Sequence, residues 1–179
     1  MKPRVLIFDG NEALSSSLKK IFDERGFEVF TFSDRGVCPL FHSGNHNSIS
    51  DNACSDIIIS DLYMPSIEGL KLIKDRIDKG CKVKFRALMS TTWSYADWQY
   101  ARKLGCQLFR KPFDLKEMLE WLDDCAKKID PARMLFNWNR NKKIHWYAKI
   151  KTPSYLLSYI ECMCINLINV GSLTFGKNP

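Results

Sequence analysis

The sequence shows little of what marks secretion or membrane insertion. Its first residues, "MKPRVLIFDGNE", hold no basic stretch leading into an apolar run, because acidic and polar residues arrive by Asp9 to Glu12. A secretory leader needs an unbroken apolar core, so a cytoplasmic location is expected. Long hydrophobic runs are also missing. The most apolar late segment, Tyr155 to Phe175, is broken by Glu161, Asn166, Asn169 and Gly171, which argues against a transmembrane segment. Metal-binding cysteine patterns are absent as well. Cys38, Cys54, Cys81, Cys106, Cys125, Cys162 and Cys164 are odd in number and scattered, and the one close pair, Cys162 and Cys164, matches no common zinc spacing. They read as reduced thiols in or near a core.

What is present is one domain's worth of ordinary material. With 179 residues, 45% hydrophobic and 26% charged, the chain can bury one good core and a small appendage. Its charge is unevenly placed. From Pro131 onward seven basic residues (Arg133, Arg140, Lys142, Lys143, Lys149, Lys151, Lys177) face one acid, Glu161, so +6 of the net +7 lies there and the first 130 residues carry +1. The change falls at "KKIDPAR", where Pro131 discourages a continuing helix. Two regions follow: a domain over residues 1–130 and a basic, aromatic C-terminal extension over 131–179.

Within the first region strand and helix signals alternate. "RVLIF" (4–8) is a short apolar strand, and Leu14, Leu18, Ile21 and Phe22 recur at helical spacing before Gly26. "FEVFTF" (27–32) alternates as a strand does. The polar stretch from Ser33 to Asn52 leaves a second helix short, irregular or followed by a long loop. Ile57-Ile58-Ile59 reads as a strand buried on both faces. Leu70, Ile73 and Ile77 mark a helix ending at Gly80, followed by "FRALMS" as strand, "SYADWQYARKLG" as helix and "CQLF" as strand. A last helix carries Leu115, Met118, Leu119 and Leu122, with Asp114 as its N-cap. Five β/α units with right-handed crossovers predict an α/β fold, a doubly wound five-stranded parallel sheet flanked by helices.

In such a sheet the carboxyl ends of the strands share one edge, where ligands bind. Asp9 ends the first strand, Asp61 the third and Ser90 the fourth, while Lys111 follows the fifth, directly before Pro112. Singly, each has a plain reading: acids at strand ends cap turns and helices, Lys-Pro is frequent on surfaces, and a serine can simply close a buried strand. Together, "LIFDGNEAL", "DIIISDLYMPSIEGLKLI", "ALMST" and "RKPFDLKEML", in this order, resemble the receiver domain of two-component response regulators over roughly residues 3 to 128.

That resemblance implies a flavodoxin-like sheet of order 2-1-3-4-5 and a phosphoprotein of signal transduction or phosphorelay. It implies that Asp61 takes a phosphoryl group from a histidine kinase or phosphotransfer protein to form an aspartyl phosphate. Lys111, the Ser90 hydroxyl and the Thr91 backbone N–H would neutralise or bond the phosphoryl oxygens, and Asp9, Asp61 and the Tyr63 backbone carbonyl would hold Mg²⁺. Such chemistry asks mainly for positioning and charge neutralisation, and Mg²⁺ suits oxygen ligands. The protein would not be an enzyme in the usual sense, but a phosphoacceptor that assists its own phosphorylation and dephosphorylation. Phosphorylation would shift a pre-existing equilibrium at the face made by the fourth helix, fifth strand and fifth helix, near Trp93, Tyr95, Trp98 and Tyr100, where an effector or a second copy would dock.

Three departures from the family pattern bear on this. Gly10 stands where the family has a second acid that contacts the metal, which weakens the cation site unless Glu12 or water substitutes. Leu108 stands where the family commonly has an aromatic switch residue, in a segment, Gly105 to Lys111, that is one residue short. Thr91 occupies a position usually held by a smaller residue. The alternative they raise is a degenerate receiver, a protein-binding module independent of phosphorylation. Another class, a flavin-binding electron carrier, would need Ser/Thr/Gly turns after the first strand, and "FDGNEALSSS" puts an acid there instead. In the extension, "LFNWNRNKKIHWYAKIK" (135–151) suits a β-hairpin, and its basic and aromatic mix suits nucleic acid. No helix-turn-helix pattern of adequate length accompanies it. Packing against the domain, or disorder, is the competing reading, and an amphipathic segment at a membrane surface a third.

Overall fold

The computed structural model describes residues 1–33, 52–64, 68–78 and 80–135. The polar stretch that left the second helix open, Met64-Pro65 as a loop-shaping pair, and the hairpin, nucleic-acid and membrane readings of the extension fall wholly or largely outside these residues.

The described chain alternates as expected: β1 (Arg4–Phe8), α1 (Glu12–Glu24), β2 (Glu28–Phe32), β3 (Ile57–Asp61), α2 (Gly69–Asp78), β4 (Phe85–Ser90), α3 (Tyr95–Lys103), β5 (Cys106–Arg110) and α4 (Leu115–Lys127). The family's fourth and fifth helices correspond to α3 and α4. All pairings are parallel and the strand order is β2-β1-β3-β4-β5, with β1 and β3 adjacent. That order reverses direction after β2, so helices cover both faces, and the crevice at the reversal lies beside the carboxyl ends of β1 and β3.

Burial follows from the composition of the strands. Every residue of β1 is buried, as are Ile57 to Ser60 of β3, the pattern of strands covered on both sides. On one face Val5, Ile7, Ile57, Ile59, Ala87, Met89 and Phe109 pack under Leu18 and Phe22 of α1 and Met118 and Leu122 of α4. On the other, Leu6, Phe8 and Ile58 pack with Leu72 of α2, and Leu88 packs with Leu70 and Ile73 of α2 and Ala101 of α3.

Helix ends follow local chemistry. The Asn11 side chain caps α1 by accepting the Leu14 N–H, at 3.1 Å, and α1 runs out at Gly26, whose φ of +92° a side chain would disfavour. Asp114 caps α4 as expected, accepting from the Lys116 N–H at 2.8 Å.

The chain after α4 stays on the sheet for a few more residues. Leu135 is buried and pairs with Ala53 in an isolated parallel bridge. The Arg133 guanidinium spans the Asp56 carboxylate, Nε to Oδ1 at 2.5 Å and Nη2 to Oδ2 at 2.6 Å. Residues 131–135, assigned to the extension from charge and proline, thus touch the amino edge of the sheet. Among the described residues no helix is long and apolar enough to cross a membrane.

Candidate functional site

Three charged side chains from remote parts of the chain meet at the carboxyl edge of the sheet. The Lys111 ammonium lies 2.8 Å from Asp9 Oδ2 and 3.2 Å from Asp61 Oδ1. Asp9 is 1% exposed, and its other oxygen accepts the Asn11 N–H at 2.8 Å. Asp61 retains 19% side-chain exposure and Lys111 15%, so solvent reaches the Asp61 side of the pair while Asp9 forms the floor. Lys111 is set by the end of β5: its N–H donates to the Ser90 carbonyl at 2.7 Å, and a cis peptide bond joins it to Pro112.

Burial pushes the Asp61 carboxyl above its ordinary range. The Lys111 ammonium opposes this by charge and hydrogen bonding, Asp9 adds repulsion, and the Leu62 N–H pulls the other way. The sign for stability follows: a carboxyl whose pKa rises on folding binds protons more tightly when folded. Stability is then lost as pH rises through the carboxylate range. Asp61→Asn removes that loss while leaving Lys111 paired with Asp9. The variant is therefore expected to melt above wild type at neutral pH, with the gap closing as pH falls through the carboxylate range. Thermal scans across pH check this, and a variant melting below wild type at pH 7 would refute it.

The remaining expected residues are placed less uniformly. Ser90 ends β4 beside the site and is buried, but its hydroxyl donates to the Thr92 carbonyl and accepts the Thr92 N–H at 3.2 Å. It is engaged in its own turn. Thr91 is exposed. Tyr63 is in the loop after β3, 51% exposed as a residue, with its hydroxyl donating to Asp97 Oδ2 at 3.1 Å. Asp97 also accepts from Ser94 Oγ at 2.6 Å, and its N–H donates to that oxygen at 3.0 Å, capping α3. The β3–α2 loop is thereby tied to the start of α3. Gly10 is exposed at the turn after β1.

Leu108 and Phe109 occupy opposite faces, as alternation along a strand requires. Leu108 packs on the α2/α3 side. Phe109 is 1% exposed in the α1/α4 core, 5.6 Å from the Trp121 ring and 6.3 Å from that of Phe113. No aromatic ring of β5 therefore lies on the Leu108 side of the sheet. Of the four aromatics near α3, Tyr95, Trp98 and Tyr100 are exposed and Trp93 packs against the core.

Gly69, at the first turn of α2, escaped the sequence reading. A Cβ there would lie 2.2 Å from the Asp61 carbonyl oxygen, 2.9 Å from Leu88 Cδ2 and 3.0 Å from Ser60 Oγ. The helix start rests directly on the end of β3, and the Gly69 N–H donates to the Leu62 carbonyl at 2.7 Å.

The residues suit a hard divalent cation in part. Asp9 and Asp61 face a common point, since one ammonium reaches both, and with a backbone carbonyl they form an all-oxygen donor set of the kind Mg²⁺ accepts together with waters. Among the described residues no cluster of three or more acids, histidines or cysteines converges as a metal site.

No protein-family model matches the chain, and no curated protein does. Solved structures do. The chemotaxis protein CheY4 of Vibrio cholerae superposes with a TM-score of 0.56 at 22% identity, covering 70% of this chain and 99% of its own. The Francisella response regulator 1452 receiver domain gives 0.58 at 21%, covering 71% and 98%. The N-terminal domain of an uncharacterized Wolinella succinogenes protein gives 0.57 at 27%, covering 70% and 95%. A five-stranded sheet of order 2-1-3-4-5, with α1 and α4 on one face and α2 and α3 on the other, is the fold of response-regulator receiver domains, and this chain has it.

Proposed function

We propose that this chain is a two-component receiver whose Asp61 accepts a phosphoryl group from a histidine kinase or phosphotransfer protein. The observation that carries this reading is the single ammonium of Lys111 within reach of both Asp9 and Asp61 at the open edge of the sheet. An Asp61 oxygen attacks phosphorus, the phosphorus–nitrogen bond of a phosphohistidine breaks, and the imidazole leaves and takes up a proton. Lys111 is already in place to meet the charge carried by the transferred oxygens, with no side-chain search at the moment of transfer. Asp9, Asp61 and the Tyr63 carbonyl would hold Mg²⁺, which supplies charge neutralisation at the phosphoryl oxygens when bound. The output face is that of α3, β5 and α4, where exposed Tyr95, Trp98 and Tyr100 offer aromatic anchors for an effector or a second copy.

Two observations favour a second reading, a binding module independent of phosphorylation. The Ser90 hydroxyl is engaged with Thr92, and Gly10 leaves the cation site one acid short. One experiment separates the readings. Protein given Mg²⁺ and a small acyl phosphate is expected to gain the mass of one phosphoryl group, lost on Asp61→Asn and reduced when chelator replaces Mg²⁺. No gain, or a gain that persists in Asp61→Asn, would leave the second reading standing.

A further inference from the structure

The chain that leaves Asp61 is fixed by backbone bonds on one side of Tyr63 and by a side chain on the other. Leu62 donates its N–H to the Met89 carbonyl and accepts the Gly69 N–H, each at 2.7 Å. The bridge that sets Tyr63 opposite Glu68 therefore engages the neighbouring Leu62 carbonyl. Leu62 and Met64 are both buried, one in the α2/α3 cluster and the other with Leu6, Phe8 and Leu72. These contacts hold the residues that flank Tyr63. A peptide plane between two anchored residues can still rotate about the φ and ψ on either side of it, and the plane between Tyr63 and Met64 carries the Tyr63 carbonyl.

The Tyr63 side chain restrains that rotation. Its hydroxyl donates to Asp97 Oδ2 at 3.1 Å, and the acceptor is itself held in place. Asp97 Oδ2 also accepts from Ser94 Oγ at 2.6 Å, and the Asp97 N–H returns to that oxygen at 3.0 Å. The Trp98 N–H closes the same turn of α3 on the Ser94 carbonyl, at 3.0 Å. A rigid ring thus spans from the loop to a capped helix start, and with its far end bonded there the Tyr63 backbone cannot turn without breaking the bond.

We infer that the Tyr63 hydroxyl and Asp97 are positioning groups for the cation, their hydrogen bond fixing the orientation of the Tyr63 carbonyl; this rests on the proposed role of that carbonyl as a Mg²⁺ ligand. Mg²⁺ demands near-octahedral oxygen geometry, and a partner that orients a ligand beforehand raises affinity because less ordering is left to the moment of binding. Orientation counts for more where acids are few. Asp9 and Asp61 supply the carboxylates that Lys111 reaches, and Gly10 supplies none. Asp97 acts through the hydroxyl it holds and not through its charge, since its Oδ2 is engaged by two O–H donors at the start of α3.

The test is a Mg²⁺ titration of the full-length protein, followed by the NMR shifts of the Asp61, Leu62 and Gly69 amides, with no phosphodonor present. Tyr63→Phe removes the hydroxyl and leaves every charge in place. It is expected to raise the Mg²⁺ dissociation constant about 3–10-fold, the range set by one exposed hydrogen bond. Asp97→Asn keeps an oxygen to accept from Tyr63 and removes the charge, and it is expected to stay within about twofold of wild type. Wild-type affinity in Tyr63→Phe would overturn this inference alone and leave the cation reading standing, as would a loss in Asp97→Asn larger than that in Tyr63→Phe, which would assign the effect to charge. Wild-type amides at the Asp61 edge that do not respond to Mg²⁺ would overturn the cation reading and this inference with it.

Discussion

Replacing Arg133 with alanine is expected to destabilise the domain by roughly 3–5 kcal/mol, the usual cost of removing one member of a buried ion pair. The size follows from what is left behind. Asp56 is 7% exposed; its Oδ1 accepts from Arg133 Nε and its Oδ2 from Arg133 Nη2 and from the Arg4 N–H at 2.7 Å. With the guanidinium gone, a carboxylate at the amino edge of β3 keeps a single described donor. For a chain of this length that loss lowers Tm by roughly 10 °C. Arg133 does more than pair with Asp56. Its Nη1 also donates to the Asp130 carbonyl at 3.2 Å and to that of Met1 at 3.4 Å, and its Nη2 to that of Lys2 at 3.2 Å, so it ties the start of the chain to the segment leaving α4. Arg133→Lys keeps the charge without the planar fork and should recover only part of the loss. Asp56→Asn in the Arg133→Ala background should be far milder than the single changes predict, because no buried charge remains unmatched. Denaturant melts of the four proteins give the coupling. A loss below about 1 kcal/mol for Arg133→Ala would class the pair with exposed salt bridges and refute the claim that it anchors residues 131–135.

That interaction was illegible in the sequence for a physical reason. Periodicity reports neighbours on one helix or strand, and Arg133 and Asp56 are 77 positions apart with only net charge and a proline to describe the region around Arg133. Asp56 is the polar boundary of the Ile57 strand, and a boundary residue and a buried counter-ion have the same local signature. The strands and helices were legible because their signals are local: uninterrupted apolar runs for Val5 to Phe8 and Ile57 to Ile59, and spacings of three and four for Leu14, Leu18 and Phe22. Asp9, Asp61 and Lys111 were legible one step further on, since parallel topology alone brings strand ends together. Ser90 marks the limit of that logic. Topology placed it at the edge, yet its hydroxyl turns to Thr92 because a two-residue turn offers a nearer carbonyl and N–H. Asp97 carried a readable signal, the Ser94-x-x-Asp97 spacing of a helix cap, but nothing local said that Tyr63 would reach it.

Gly69→Ala should be the most damaging single-methyl addition near the site, and its sign separates two explanations of why glycine is there. At an exposed helix position alanine is favoured over glycine by about 1 kcal/mol, so a glycine serving only as a helix start would make the change stabilising. Here the new Cβ would lie 2.2 Å from the Asp61 carbonyl oxygen, with Leu88 Cδ2 at 2.9 Å. A leucine methyl can rotate away; a backbone carbonyl at the end of a central strand cannot, because Leu62, the next residue, donates its N–H to the Met89 carbonyl at 2.7 Å. Either α2 lifts from the sheet or β3 bends. Overpacking of this kind costs about 1–3 kcal/mol, and with a backbone atom as the obstacle the net loss should be at least about 2 kcal/mol after the helical gain. The same displacement moves Asp61 relative to Lys111. For a reaction that rests on placement, a shift of about 1 Å lowers the rate by roughly 100-fold, so on the proposed phosphoacceptor role acyl-phosphate labelling should fall even where the variant is still folded. Denaturant melts and phosphorylation time courses at a temperature below the variant's transition measure the two effects separately. A Gly69→Ala protein as stable as wild type would mean that α2 does not rest on Asp61 as closely as the packing indicates. A destabilised protein that still labels at the wild-type rate would show that β3 holds its place and α2 alone gives way.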